Sequence, residues 1–130
     1  MGDTVSIQGF QSGMTLVEAL TPQVIQDDTP VLSSAIDTRD YPRKRILLVC
    51  SYNEVGATVH TMGFTVTESA TSNGSYTAST TTGTLTALSA DYVEWAAIKR
   101  NPAMPFIKIT ATGSHADVDG IAQAAVLFLD

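Results

Sequence analysis

The chain has 130 residues, 44% of them hydrophobic, with seven Lys and Arg against thirteen Asp and Glu for a net charge of -6. That length fits one domain, and a domain of this size buries about two thirds of its chain surface without needing a covalent staple. The acidic balance argues against a nucleic-acid binder, and the single Cys50 excludes an intramolecular disulfide framework. No run reaches the roughly 18 apolar residues of a membrane span, and MGDTVSIQGF lacks the basic and apolar regions of a secretory signal.

In chain order, the first thirty residues have no clean period. Residues 1–21 read as an N-terminal arm that packs on a partner surface, because Phe10, Met14, Leu16, Val17 and Leu20 are too apolar for a disordered tail. Leu16, Val17 and Leu20 stand at helix-like spacing and allow one short helical turn. Residues 22–130 read as a single β domain. PQVIQ (22–26) is a short strand, and VLSSAIDT (31–38) is a looser one ending in turn residues. RILLVCSYN (45–53) is an apolar run dense enough for a strand buried on both faces. MGFTVTESA (62–70) alternates, and Asn73-Gly74 marks a tight turn after it. TLTALSA (84–90) and YVEWAAIKR (92–100) follow as strands; a helix over the second is disfavoured by its β-branched and aromatic residues. NPAMP is a break, FIKITATG (106–113) alternates, SHADVDG is a polar turn, and IAQAAVLFLD is a closing apolar strand. Eight or nine short strands separated by turn signals predict an all-β, antiparallel β-sandwich or jelly roll.

Chemistry is sparse. There are 18 Thr and 11 Ser, but only two His and one Cys, so a chance Ser-His-acid combination carries no meaning. His60 and His115 lie far apart with no Cys or His close by, unlike structural zinc ligands. HADVD (115–119) has oxygen donors for calcium but reads more simply as a polar loop. Cys50 reads as a small core residue, and Trp95 reads as core as well. No catalytic, metal or cofactor site is expected, and the chain is not expected to be an enzyme. The basic stretch Arg39, Arg43, Lys44 and Arg45, with Tyr41 as a stacking face, stands out in an acidic chain. It suits docking to an acidic partner surface, or else a solvated loop with locally paired charges. Lys99-Arg100 forms a second small basic cluster.

The order of several motifs resembles that of small tailed-bacteriophage virion structural proteins of the capsid decoration (cement) type. The likeness is carried by SSAIDTRDY (33–41), ILLVCSY (46–52), GFTVTESATSNGSYT (63–77), WAAIKRNPAMPFIKITATG (95–113) and AAVLFL (124–129). The chain departs from that pattern at Ile98-Lys99-Arg100, where the family favours a glycine first, at Phe106 in place of tyrosine and at Lys108 in place of arginine. The resemblance implies a β-sandwich without an active site that binds the major capsid protein as a homotrimer. It implies a place on the outer surface of the virion capsid after synthesis in the bacterial host cytoplasm, with no direct contact to nucleic acid or membrane. Another virion role in tail, neck or fibre is a second expectation. A carbohydrate-binding or adhesin-like sandwich, using Ser/Thr-rich loops and Trp95, is a third.

Overall fold

The computed structural model describes residues 4–6, 14–26, 29–54, 61–79, 88–89, 92–114 and 118–129. The strands are β1 (Thr4–Ser6), β2 (Thr15–Gln26), β3 (Val31–Leu32), β4 (Ile36–Asp37), β5 (Arg45–Glu54), β6 (Thr61–Ser69), β7 (Thr77–Ala78), β8 (Leu88–Ser89), β9 (Tyr92–Ile98), β10 (Phe106–Gly113) and β11 (Val118–Leu129). Among the described residues one 3-10 turn, Thr38–Asp40, interrupts them. No helix among the described residues is long and apolar enough to cross a membrane.

One sheet has the order β1-β2-β11-β5-β9. The other is built on β10 and β6, with β3 and β4 in turn along the outer side of β10 and β7 and β8 along the outer side of β6. Taking β3 with β4 and β7 with β8 as interrupted single strands, the pairing is nested. β2 pairs with β11, β3 and β4 with β10, β5 with β9, and β6 with β7 and β8. This is one long hairpin rolled into two facing sheets, the jelly-roll form of the antiparallel sandwich.

Side-chain alternation builds the core. β5 turns Ile46, Leu48, Cys50 and Tyr52 inward, β10 turns Ile107, Ile109 and Ala111 inward, and β11 contributes Ala122, Ala124, Val126 and Phe128. Met62, Phe64 and Val66 of β6 complete the opposite layer. Gly120 marks the closest backbone approach: a Cβ there would stand 2.3 Å from the Asn53 carbonyl oxygen and 2.5 Å from the Tyr52 ring. The Asn73-Gly74 turn forms as expected, with the Gly74 N–H donating to the Thr71 carbonyl.

Three expectations need correction. The arm does not extend to residue 21, because residues 15–21 form the first part of β2 and Leu20 is buried in the core. No helical turn forms there. The β2–β11 pairing carries register shifts near Ala122, Ala124 and Ala125, and such bulges add a residue to one strand and break its period of two. The helix-like spacing of Leu16, Val17 and Leu20 records that irregularity. Finally, β5 is buried on one face only; Leu47 and Val49 on its other face are half-buried. Of the strand expected over 84–90, residues 88–89 form β8 and residues 84–87 lie outside the described residues.

Candidate functional site

The β5–β9 register sets the site. Ile46 lies opposite Ile98, so the chain entering β5 through Arg43, Lys44 and Arg45 runs beside the chain leaving β9 through Lys99 and Arg100. Two basic clusters that are more than fifty positions apart in sequence therefore meet at one end of the sandwich. Residues 37–45 with 99 and 100 hold six of the seven cations and two carboxylates, Asp37 and Asp40, a net of +4 in a chain of net -6.

Arg100 organises this end. Its guanidinium donates to the carbonyls of Thr38, Tyr41 (2.6 Å) and Lys44 (2.9 Å). A planar fork of five donors can hold several carbonyls at once, which an ammonium cannot do in the same geometry. The far side of the loop is tied to β10: Thr38 donates both its N–H and its hydroxyl to the Pro105 carbonyl, the hydroxyl at 2.8 Å. Behind it, the Asn101 amide donates to the buried Glu68 carboxylate at 3.1 Å, while the Asn101 side-chain oxygen accepts from the Ala103 N–H.

The individual loop residues divide by role. Arg39 is held by Asp37, which accepts from its backbone N–H, its Nε and its Nη2 at 2.9–3.0 Å. That guanidinium holds the Asp37 carboxyl below its usual range. Arg39 also lies over the Phe106 ring, 5.0 Å from its centroid, on the outer face of the second sheet. Tyr41 turns toward the core and stacks on Phe128. Arg43 is exposed and adopts φ 63°, a left-handed turn position. Arg45 is exposed and Lys44 half-buried.

Of the expected arm contacts, Leu20 belongs to the core and Val17 packs against it, so both are corrected to structural positions. Leu16 is half-buried on the outer face of the five-stranded sheet, opposite Leu127. Met14 is half-buried ahead of β2, and Phe10 lies outside the described residues. His60, His115 and Asp117 lie outside them too. Cys50 is fully buried, and desolvation pushes its thiol up to about 12, which keeps it protonated and inert.

The outer face of the five-stranded sheet carries what the sequence reading missed. Ala97, Leu47, Leu127 and Leu16 form one row across the strands, and Trp95, Val49, Ala125 and Glu18 the next. Trp95 is 65% exposed and Val93 61%, so the expectation that Trp95 belongs to the core is overturned. A lone Trp at strand spacing does not say which face it takes; the register of the neighbouring strand decides. The basic end thus adjoins a partly open apolar face.

No protein-family model matches the chain, and no curated protein matches it by sequence. Solved structures share its fold. The N-terminal CBM22-1–GH10 modules of Clostridium thermocellum xylanase Xyn10B, complexed with xylohexaose, align at TM-score 0.57 and 11% identity over 98% of this chain and 25% of that one. A xylan-binding domain from CBM22 aligns at TM-score 0.52 and 9% identity over 98% of this chain and 93% of that one. A chain of infectious bursal disease virus, Gx strain, aligns at TM-score 0.51 and 12% identity, covering 98% of this chain and 38% of that one. The chain spans a quarter of the first of these proteins and nearly all of the second. At such identities the likeness is one of fold: the chain is an antiparallel β-sandwich.

Proposed function

We propose that the protein decorates an assembled bacteriophage capsid, seating its basic end and the adjoining apolar rows on the outer surface of the shell. The observation that carries this reading is the gathering of six of seven cations at one end of an otherwise acidic sandwich, beside exposed apolar side chains. A protein interface combines a desolvated apolar centre with a polar or charged rim, and complementary charge steers the encounter. The motif order over residues 33–129 supports the same reading. A ligand that binds the assembled lattice better than free subunits stabilises the lattice by mass action. The test is co-sedimentation of the purified chain with assembled capsids and with unassembled major capsid protein. Arg43→Glu combined with Arg45→Glu should fold normally and decorate capsids more weakly, most clearly at low salt where screening is least. Full decoration by that variant would overturn the reading.

Exposure of Trp95 favours a second reading, a carbohydrate-binding sandwich. Sugar sites combine an aromatic platform with convergent polar groups. The row of Trp95 supplies Val49 and Ala125 beside it, which suits a protein contact better than a sugar. Titration with xylohexaose, read by the fluorescence of this single tryptophan, separates the two.

A further inference from the structure

The four sheet edges are not equivalent. In the second sheet, β3, β4, β7 and β8 are two residues each, so both edges are broken into short pieces. In the first sheet, β1 is three residues long and pairs with β2 only at Thr15–Val17; the rest of that edge, residues 18–26 of β2, is interrupted by Pro22 and by register shifts. Short, interrupted edges are the usual protection against unwanted strand pairing. β9 is different. It pairs with β5 through seven uninterrupted residue pairs, contains no proline, and presents Val93, Trp95 and Ala97 on an exposed face. Among the described residues no strand pairs with its other side.

We infer that β9 is a dimerisation edge, pairing antiparallel with β9 of a second copy about a two-fold axis at Trp95. Length selects this occupant. A head-to-tail contact would set the seven residues of β9 against the three of β1 or against the bulged stretch of β2 that Pro22 interrupts, whereas β9 on itself matches seven with seven. Register also fits. With Trp95 opposite Trp95 of the second copy, Val93 meets Ala97, Tyr92 meets Ile98, and Glu94, the one charge on the strand, meets Ala96 instead of a second carboxylate. Like charges directly opposite would be destabilising, whereas aromatic cross-strand pairs are favourable. Lateral contact of the two tryptophans, with Val93 beside Ala97, adds apolar burial to the backbone pairing of the two strands and leaves the outer face of the sheet open. The two-fold contact is an alternative to the three-fold assembly that the sequence resemblance implies. It holds whatever the basic end binds.

The chain alone tests this, by sedimentation velocity from low micromolar to submillimolar concentration. The mass should double with concentration, and the emission of the sole tryptophan should shift to the blue along the same curve. Trp95→Lys should remain folded by circular dichroism and raise the dissociation constant at least about tenfold, as lysine does on protected edges. Register is read by oxidative cross-linking. In the proposed pairing the two 95 positions are about 4.5–5.5 Å apart at Cα, within disulfide reach, so W95C should cross-link and V93C should not. Native Cys50 is buried and does not interfere. A monomer throughout, a mass of three chains, an unchanged W95K variant, or V93C cross-linking as readily as W95C would each overturn the inference.

Discussion

The ring of Tyr41 lies flat on the ring of Phe128, with 3.9 Å between centroids and 17° between planes. A loop residue thereby closes the end of the core beneath the basic surface, while Arg39, Arg43 and Arg45 of the same loop stay exposed. Tyr41→Phe should cost little, since the ring supplies the contact. Tyr41→Ala should cost about 2 kcal/mol, from the lost stacking and area together. Urea denaturation of the two variants measures the difference.

The three carbonyls held by Arg100 lead to a second expectation. Charge-assisted hydrogen bonds are worth about 1.5–3 kcal/mol each in favourable settings, with strong non-additivity when one group makes several. Arg100→Ala should destabilise the fold by about 2–3 kcal/mol. Arg100→Lys should recover only a minor part, because an ammonium cannot reach the same acceptors in one plane. Hydrogen exchange should localise the loss to residues 38–44.

Gly120 gives a sharper outcome. A methyl group there meets the Asn53 carbonyl and the Tyr52 ring well inside van der Waals contact, and one of those partners is backbone that cannot step aside. Gly120→Ala should cost about 3 kcal/mol or prevent folding, the upper end of what overpacking does. Thermal unfolding of G120A reads this directly, with Gly63→Ala as the control: its nearest neighbour would be the Thr112 carbonyl at an ordinary 3.8 Å.

The Asp37–Arg39 pair sets a pH dependence. The hydrogen bond from Arg39 is the largest cause of the lowered Asp37 carboxyl, whose ordinary value is 3.8. A depressed folded pKa means that the pairing contributes fully above the unfolded value and is lost as pH falls through the folded one. Stability from this pair should therefore be constant from neutral pH down to about pH 5 and decline below about pH 4. Asp37→Asn should remove that part of the acid dependence, as read from denaturation midpoints across the range.

Much of the fold was legible in the residues. FIKITATG alternates because one face meets the core and the other meets solvent, and MGFTVTESA does the same; both are strands where expected. β2 was hidden by the bulges that shift Leu20 out of phase with Val17, so a strand looked like an arm. The density of ILLVC suggested two buried faces, yet the second sheet covers only one. The two basic clusters were visible separately. Their meeting was not, since it follows from the pairing of β5 with β9, and a pairing partner is not written in either segment.

The nested hairpin also governs how the molecule comes into being. Thr15 lies opposite Phe128, more than a hundred positions later, and β11 occupies the middle of its sheet between β2 and β5. Loop closures of that span must precede the contacts that reward them, so folding belongs to the slow range of milliseconds to seconds. On the ribosome, β2 waits without its long partner and β5 is paired on one side only, by β9, until β11 is made. The five-stranded sheet cannot close until β11 emerges, so an interrupted translation product lacking it would remain unfolded and exposed to proteolysis. Phe128, the ring beneath Tyr41, belongs to that strand, so the floor of the basic end is completed only with β11.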